Sequence, residues 1–315
     1  MMQATALLCA GLLALPFCLP QDPTEGPTRA VSSERGLVES SPLFERVFIV
    51  GASVSSGFLL QNDVGAPTSL ADIVDAALIG DHEPIRSSTS LAFFLAPLAR
   101  GGKQIDRALS HEPTLLLALD FLFWFGYGYA DSEDDRLERL EQGLWLLDKV
   151  DVPIVVTDFP DMTPALDGRG PFGVPMLHPG QVPRTRTLER LNEKLRAWAS
   201  ERERVVLVPL SDFVARVHAN ELVEVRDNRW EESRSLLNRD LLHTSLKGSS
   251  ALVVLAMDRL VWARPDLSSD SVRWDAAEIA QRAYDAKAPE REKAQELRRK
   301  REERKRKRER ARAGG

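Results

Sequence analysis

The feature that most constrains the fold of this chain is a series of short, wholly apolar segments that alternate with amphipathic ones. The apolar segments are VFIVG (47–51), TLLLAL (114–119), VPIVVTDF (152–159) and RVVLVPL (204–210). Segments with helical spacing of apolar residues follow them, at 68–78, 133–150, 185–203 and 249–263. A strand that is apolar at every position is buried on both faces, and helices of ten or more residues can cover both. The sequence therefore predicts an α/β domain over 46–265, a three-layer α/β/α arrangement around a parallel sheet.

The N-terminal end has a different character. The apolar stretch Ala4–Leu19 is too short to span a bilayer and is typical of the hydrophobic region of a secretory signal peptide. We therefore expect a signal peptide over 1–20, a Pro- and Gly-rich linker over 21–45, and a secreted or periplasmic protein. Both cysteines, Cys9 and Cys18, lie in the signal segment, so the mature chain would contain no disulfide. Lipid attachment at Cys18 is an alternative, although Pro and Phe precede it where small residues are expected.

The C-terminal end, 266–315, is predicted to be a helical, charged and basic tail. From Glu290 onward it contains 13 Lys or Arg and 6 Glu, a net charge of about +7, whereas the remainder of the chain carries about −12. Such runs are usually solvated, and the alternative is adhesion to a polyanion such as an acidic glycan or an anionic lipid surface. Specific nucleic-acid binding is not expected of a secreted chain.

The whole chain is 43% hydrophobic and 28% charged, which is typical of a globular protein. No Walker-type or dinucleotide-binding glycine motif occurs in it. Asp158, Asp161, Asp167 and His178 share a long loop, but their spacing matches no metal site. We therefore expect neither a cofactor nor a metal ion.

Two short motifs carry the predicted chemistry. In FIVGASVSSGF (48–58) a buried strand stops at Gly51 and delivers Ser53 to a turn. In NRDLLHTSLKGSS, Asp240 precedes His243 by three residues in a loop before the last helix. A serine becomes nucleophilic when a histidine takes its proton and a carboxylate orients that histidine. The structural alternatives are an ordinary turn serine and a surface Asp–His pair.

Together and in this order, the two motifs resemble the first and last sequence blocks of the SGNH or GDSL hydrolases, across about 46 to 263. The resemblance implies a flavodoxin-like fold and hydrolysis of an acyl ester, on a glycan or a lipid. It implies Ser53 as nucleophile, His243 as base and Asp240 as its orienting partner. It also implies that the backbone amides of Ser53 and Gly102 (or Gly101), the glycine pair in RGGKQIDRAL, bind the oxyanion.

The chain departs from the family pattern at three positions. Ala52 replaces the usual Asp of the first block. In the third block, Asp120 stands at the Gly position and Leu122 at the position of the Asn that donates to the oxyanion, which leucine cannot do. We interpret Asp120 as a strand-end carboxylate that caps backbone N–H groups. Gly126, Gly128 and Tyr127 are alternative donors.

Two further segments are predicted to lie near the site. The loop 157–187 follows a strand and is expected to be a lid on the substrate side. The aromatic residues of 121–129 are expected either to pack in the core or to line a pocket for an acyl chain or a sugar ring.

Three hypotheses follow. The first is a secreted serine ester hydrolase, favoured by the complete Ser53, Asp240 and His243 set. The second is a catalytically impaired domain that binds a glycan or another surface through the same cleft, favoured by Leu122. The third is a scaffold whose basic tail does the binding.

Overall fold

A computed structural model describes residues 41–313 of the 315-residue chain, with side chains to residue 305. The predicted signal peptide, both cysteines and nearly all of the predicted linker lie outside the described residues.

The core of the domain is a five-stranded sheet in which every pair of neighbouring strands is parallel. The strand order is β2-β1-β3-β4-β5, which is the flavodoxin-like order. The fold class predicted from the sequence is confirmed. A short antiparallel pair, β6 and β7, lies outside this sheet. The strands are β1 (Val47–Gly51), β2 (Arg86–Thr89), β3 (Leu115–Ala118), β4 (Ile154–Thr157), β5 (Val205–Val208), β6 (Val223–Val225) and β7 (Asn228–Trp230).

Helices follow the strands along the chain and cover the sheet. They are α1 (Leu60–Val64), α2 (Leu70–Ala77), α3 (Pro97–Leu109), α4 (Phe123–Gly126), α5 (Glu133–Leu147), α6 (Thr185–Ser200), α7 (Leu210–Ala219), α8 (Leu246–Ala263), α9 (Ala276–Ala286) and α10 (Ala288–Ala313).

Alternate strand residues serve two separate hydrophobic cores. Val47 and Ile49 of β1 pack with α2, α8 and α9, whereas Phe48 and Val50 pack with α3, α5 and α6. Because successive side chains of a strand point to opposite faces, a strand covered on both faces must be apolar throughout. This is the physical reason why the four apolar segments mark four of the five strands.

Several elements of the domain were not predicted, and two of them lie next to the end of β1. β2 has the polar sequence RSST and lies at the edge of the sheet, where it is held by its ladder to β1 rather than by burial. α3 contains the glycine pair Gly101 and Gly102, to which the family resemblance gave an oxyanion role.

The C-terminal boundary of the domain also differs from the prediction. α9 buries Ala276, Ile279 and Ala283 in the same core as α8. The folded domain therefore extends past residue 265 to at least residue 286. α10, which begins at Ala288, carries the basic sequence. Among the described residues, no helix combines the length and the hydropathy needed to cross a bilayer.

Candidate active site

The nucleophile turn lies where the order of the strands reverses. Ser53 follows β1 and Asp120 follows β3, and these two strands are neighbours in the sheet. In sheets of this topology, ligands bind outside the carboxyl ends of the strands at this crevice. The sheet therefore brings together two segments of chain that are nearly seventy residues apart in sequence.

The Asp120 carboxylate organises the turn that holds Ser53. Its Oδ1 accepts hydrogen bonds from the Ala52 amide (2.9 Å) and the Ser55 hydroxyl (2.5 Å). Its Oδ2 accepts from the amides of Val54 (2.8 Å) and Ser55 (3.2 Å). Asp120 thus caps backbone N–H groups, as interpreted from the sequence. The carboxylate that the family resemblance places at position 52 is replaced here by one that reaches the same turn from β3.

Gly51 makes room for this carboxylate. A Cβ atom on Gly51 would lie 2.0 Å from Asp120 Oδ1 and 2.4 Å from Ser55 Oγ, so any larger residue would displace both. The backbone of Gly51 is held in turn by the buried amide side chain of Gln104, which accepts from its N–H (3.0 Å) and donates to its carbonyl (2.9 Å). The end of β1 is therefore fixed on the side of α3 as well.

The structure brings Ser53, His243 and Asp240 together in hydrogen-bonding geometry. Ser53 Oγ lies 2.8 Å from His243 Nε2, and His243 Nδ1 lies 2.7 Å from Asp240 Oδ2. Asp240 is fully buried and His243 nearly so. Phe58 packs edge-on against the imidazole, with 4.7 Å between ring centroids. The arrangement satisfies the geometric requirement for a nucleophile, a base and a group that orients the base.

Asp240 is stabilised as a carboxylate. Burial acts to raise its pKa, but hydrogen bonds from the His243 side chain and from the amides of Leu242 and His243 outweigh burial, so its pKa lies below the usual value. An ionised Asp240 keeps the proton of the neutral imidazole on Nδ1. This leaves the lone pair of Nε2 facing Ser53.

The loop that carries Asp240 and His243 is fixed by residues that sequence analysis did not single out. Asn238 donates from its backbone N–H to the His243 carbonyl (2.8 Å) and from its side chain to the Thr244 carbonyl (2.8 Å). Leu241 has a left-handed backbone (φ +56°), and its carbonyl lies 2.9 Å from Nε2 of His218 on α7. Burial lowers the pKa of His218, so the neutral ring donates from Nε2. Only the tertiary structure reveals this support.

The long loop 157–187 also packs against the segment that carries Asp240 and His243. Gly168 lies so close to this segment that a Cβ atom there would lie 2.0 Å from the Asp240 carbonyl oxygen. The next amide, of Arg169, donates to the Arg239 carbonyl (2.8 Å). This part of the loop buttresses the backbone of Asp240, and the lid role expected from the sequence stays a prediction.

The two expected oxyanion donors, Ser53 and Gly102, differ in whether their backbone amides are free. In the turn 52–55, three amides are bound to Asp120, whereas the Ser53 amide has no acceptor among the described residues. Gly102, by contrast, lies in the interior of α3, where a backbone amide is committed to the helix's own hydrogen bonds, and it faces Leu146 of α5. The structure therefore does not bring Gly102 or Gly101 to the oxyanion position.

The segment after β2 lies beside the end of β1. The Ser90 amide donates to the Gly51 carbonyl (3.2 Å), which extends the β1–β2 ladder by one residue. The amides of Leu91 and Ala92, which follow, have no acceptor among the described residues.

Leu122 and Tyr127 of the third-block segment supply no side-chain donor. Leu122 points into the core, where its Cδ2 lies close to Gly143 of α5. Tyr127 is buried, with its hydroxyl donating to the Pro160 carbonyl (2.6 Å) and accepting from the Met162 amide (3.1 Å). The Gly128 amide is bound to the Gln181 carbonyl. Leu122, Tyr127 and Gly128 are therefore committed to packing or to these hydrogen bonds.

A narrow apolar cavity of about 80 Å³ opens beside Ser53. Its walls are mostly aliphatic and aromatic, and include Leu119, Phe123, Trp124, Met162, Val214, Val217, Leu236, Leu242 and Leu252. The aromatic segment thus has both predicted roles: Phe121, Phe125 and Tyr127 pack in the core, whereas Phe123 and Trp124 line the cavity.

A second carboxyl group, Asp158, also lines the cavity. It follows β4 and caps the N-terminus of α7, accepting from the Ser211 amide (2.7 Å) and hydroxyl (2.6 Å). Burial raises the pKa of Asp158 although these hydrogen bonds oppose the rise. Its position is explained by the cap.

Comparison with known proteins gives similarity in structure only. No protein-family model matches the sequence, and no curated protein matches it. Similar solved structures include a lipase/acylhydrolase from Enterococcus faecalis, with 13% identity, TM-score 0.45, and coverage of 70% of this chain and 96% of that one. A GDSL-like lipase from Bacteroides thetaiotaomicron VPI-5482 matches with 12% identity, TM-score 0.41, and coverage of 73% and 93%. Because these identities and TM-scores are low, the functional argument rests on the geometry of the site.

Proposed function

We propose that this protein is a serine hydrolase of carboxylic esters, with Ser53 as nucleophile, His243 as general base and acid, and Asp240 as the residue that orients His243. The observation that carries the proposal is the continuous hydrogen-bonded chain from Ser53 through His243 to the buried Asp240 carboxylate. An ordinary turn serine at the end of a strand does not require a hydrogen-bonded histidine and a buried carboxylate behind it.

The reaction would proceed in two steps. His243 Nε2 takes the Ser53 proton as Oγ attacks the ester carbonyl carbon, and the same proton then passes to the departing alcohol as the acyl–serine ester forms. In the second step His243 takes a proton from water, which attacks the acyl group, and returns it to Ser53 Oγ as the carboxylic acid leaves. The Ser53 amide, with an amide of the Leu91–Ala92 segment, would stabilise the oxyanion.

The cavity beside Ser53 suggests a short acyl group. An apolar cavity of about 150 Å³ accommodates a benzene molecule with its six carbons, so a cavity of about 80 Å³ fits an acyl chain of roughly two to four carbons. Its walls offer little that would bind a charged acyl group.

Ser53→Ala and a fluorophosphonate probe test the proposal. We expect the probe to label the wild-type protein at Ser53, p-nitrophenyl acetate or butyrate to be hydrolysed, and Ser53→Ala to abolish both. Asp240→Asn should lose less activity than either Ser53→Ala or His243→Ala, and the Ser53/His243 double variant should be little worse than either single variant. Ser200→Ala removes an exposed hydroxyl at the end of α6 that donates only to the Ala197 carbonyl; it is the control and should stay active.

A binding module with the same cleft is the second candidate. Leu122 at the position of the family's Asn donor favours it, because one missing donor lowers the rate by about 10²–10³. If Ser53 resists the probe and Ser53→Ala leaves turnover unchanged, the hydrolase proposal is wrong and the binding module takes its place.

A further inference from the structure

We propose that a second, larger groove beside the catalytic cleft binds the alcohol portion of the ester, and that this alcohol is bulky and polyhydroxylated, of the size of a sugar ring. The inference rests on the proposed function. The aromatic groove is defined by two walls, residues 94–99 and 124–129, together with Arg139, Gln142 and Gln181.

The topology of the sheet places this groove next to the nucleophile. One wall follows β2 and the other follows β3, and β1, which delivers Ser53, lies between these two strands. Trp124 lines both the groove and the cavity beside Ser53, and its ring packs against that of Phe94, with 5.5 Å between the ring centroids. The two hollows therefore share a wall at the catalytic end of the sheet.

An ester has an acyl part and an alcohol part, which extend in different directions from the reacting carbonyl. The cavity and the groove differ in size and polarity, as two sites for these two parts would. The acyl cavity measures about 80 Å³ and is apolar, whereas the groove measures about 810 Å³. The groove is within the size range of small-molecule sites, about 300–1,000 Å³. The cavity is too small for a bulky alcohol, and an acyl chain short enough for the cavity would leave the groove unfilled.

The lining of the groove indicates the class of alcohol. Its rim exposes large apolar side chains that a monomer ordinarily buries: Phe94 is 45% exposed, Leu95 67% and Tyr129 64%. Polar side chains lie among them. Arg139 borders the groove, and the exposed side chain of Gln142 makes no hydrogen bond to another described residue. Flat apolar surfaces beside hydrogen-bonding groups suit a ring with apolar faces and hydroxyl edges.

Esters with one acyl group and different alcohols test the inference. We compare methyl butyrate with 6-O-butyryl methyl glucoside, using the wild-type protein, Phe94→Ala and Tyr129→Ala. Both substitutions are at exposed positions. We expect each to lower kcat/KM for the glucoside ester by about tenfold and to leave methyl butyrate within about twofold. Trp262→Ala removes an aromatic side chain that is 69% exposed, on α8, far from the groove, and should change neither substrate.

The outcomes separate this inference from the proposed function. If methyl butyrate is hydrolysed and Ser53 is labelled, but Phe94→Ala and Tyr129→Ala affect both esters equally or not at all, the groove is not the alcohol site and the hydrolase proposal stands. A binding measurement needs no turnover: methyl glucoside is titrated into Ser53→Ala protein and followed by NMR. Saturable binding that is lost in Ser53→Ala/Phe94→Ala supports the groove, and absence of saturable binding overturns it.

Discussion

Replacement of Asp120 by asparagine is the sharpest test of how the nucleophile turn is built. The carboxylate accepts four hydrogen bonds from the turn 52–55, two on each oxygen. Asparagine keeps one oxygen and replaces the other by an NH₂ group, which donates and cannot accept. If the NH₂ group replaces Oδ2, the amides of Val54 and Ser55 both lose their acceptor. If it replaces Oδ1, the Ser55 hydroxyl can turn to accept from it, and only the Ala52 amide is left facing a donor. The second orientation costs less, so we count one backbone donor without an acceptor.

The loss of stability follows from that count. A buried donor left without an acceptor costs about 1–3 kcal/mol. Asp120 is only partly buried, so water can solvate part of the site, and we expect a loss of about 1–2 kcal/mol.

The activity should fall further than the stability alone implies. With the Ala52 hydrogen bond lost and the Ser55 hydroxyl turned, the turn no longer holds Ser53 Oγ at 2.8 Å from His243, and a displacement of about 1 Å lowers a rate by roughly 10². The free Ser53 amide would move with the turn.

Urea unfolding followed by tryptophan fluorescence measures the stability, and fluorophosphonate labelling at Ser53 measures the activity of the nucleophile. Asp134→Asn, which removes only an exposed ion pair with Arg190, is the control, and should cost less than about 1 kcal/mol. Should Asp120→Asn unfold within about 0.5 kcal/mol of the wild type and be labelled at the wild-type rate, the carboxylate does not organise the turn and our reasoning is wrong.

Three further predictions concern stability near the site. Asp158→Asn keeps partners for the Ser211 amide and hydroxyl. Because burial raises the folded-state pKa of Asp158, the wild-type protein loses stability as the pH rises through that pKa. In urea titrations the variant should therefore be the more stable at pH 7, and the two free energies of unfolding should converge below about pH 4. Gly102→Ala, whose Cβ would meet only Leu146 at 3.9 Å, should raise the free energy of unfolding by about 0.5–1 kcal/mol without loss of esterase activity; reduced activity would return Gly102 to the site. Gly168→Ala, which would press on the Asp240 carbonyl, should lower stability by about 1–3 kcal/mol and slow Ser53 labelling, and an unchanged labelling rate would contradict the buttress role.

The sequence by itself determined the architecture and the candidate catalytic trio. Four strands were predictable because burial on both faces requires apolar residues at every position, and this is a local property of the chain. Ser53 at the end of β1 and the Asp240–His243 pair before α8 were predictable because each motif is also local, only a few residues long.

Only the tertiary structure decided the rest, because it depends on contacts between distant segments. β2 escaped prediction because an edge strand with the sequence RSST is held by its ladder to β1, so burial leaves no pattern in it. The resemblance gave the Gly102 amide an oxyanion role, yet packing of α3 against α5 makes that segment a helix, which engages the amide. The partners of Asp120 are more than sixty residues away in sequence, and His218 is 23 residues from Leu241. No local pattern in the sequence encodes contacts between segments this far apart. The parallel sheet creates the contacts of Asp120 because it brings the carboxyl ends of β1, β3 and β4 to the same end of the sheet.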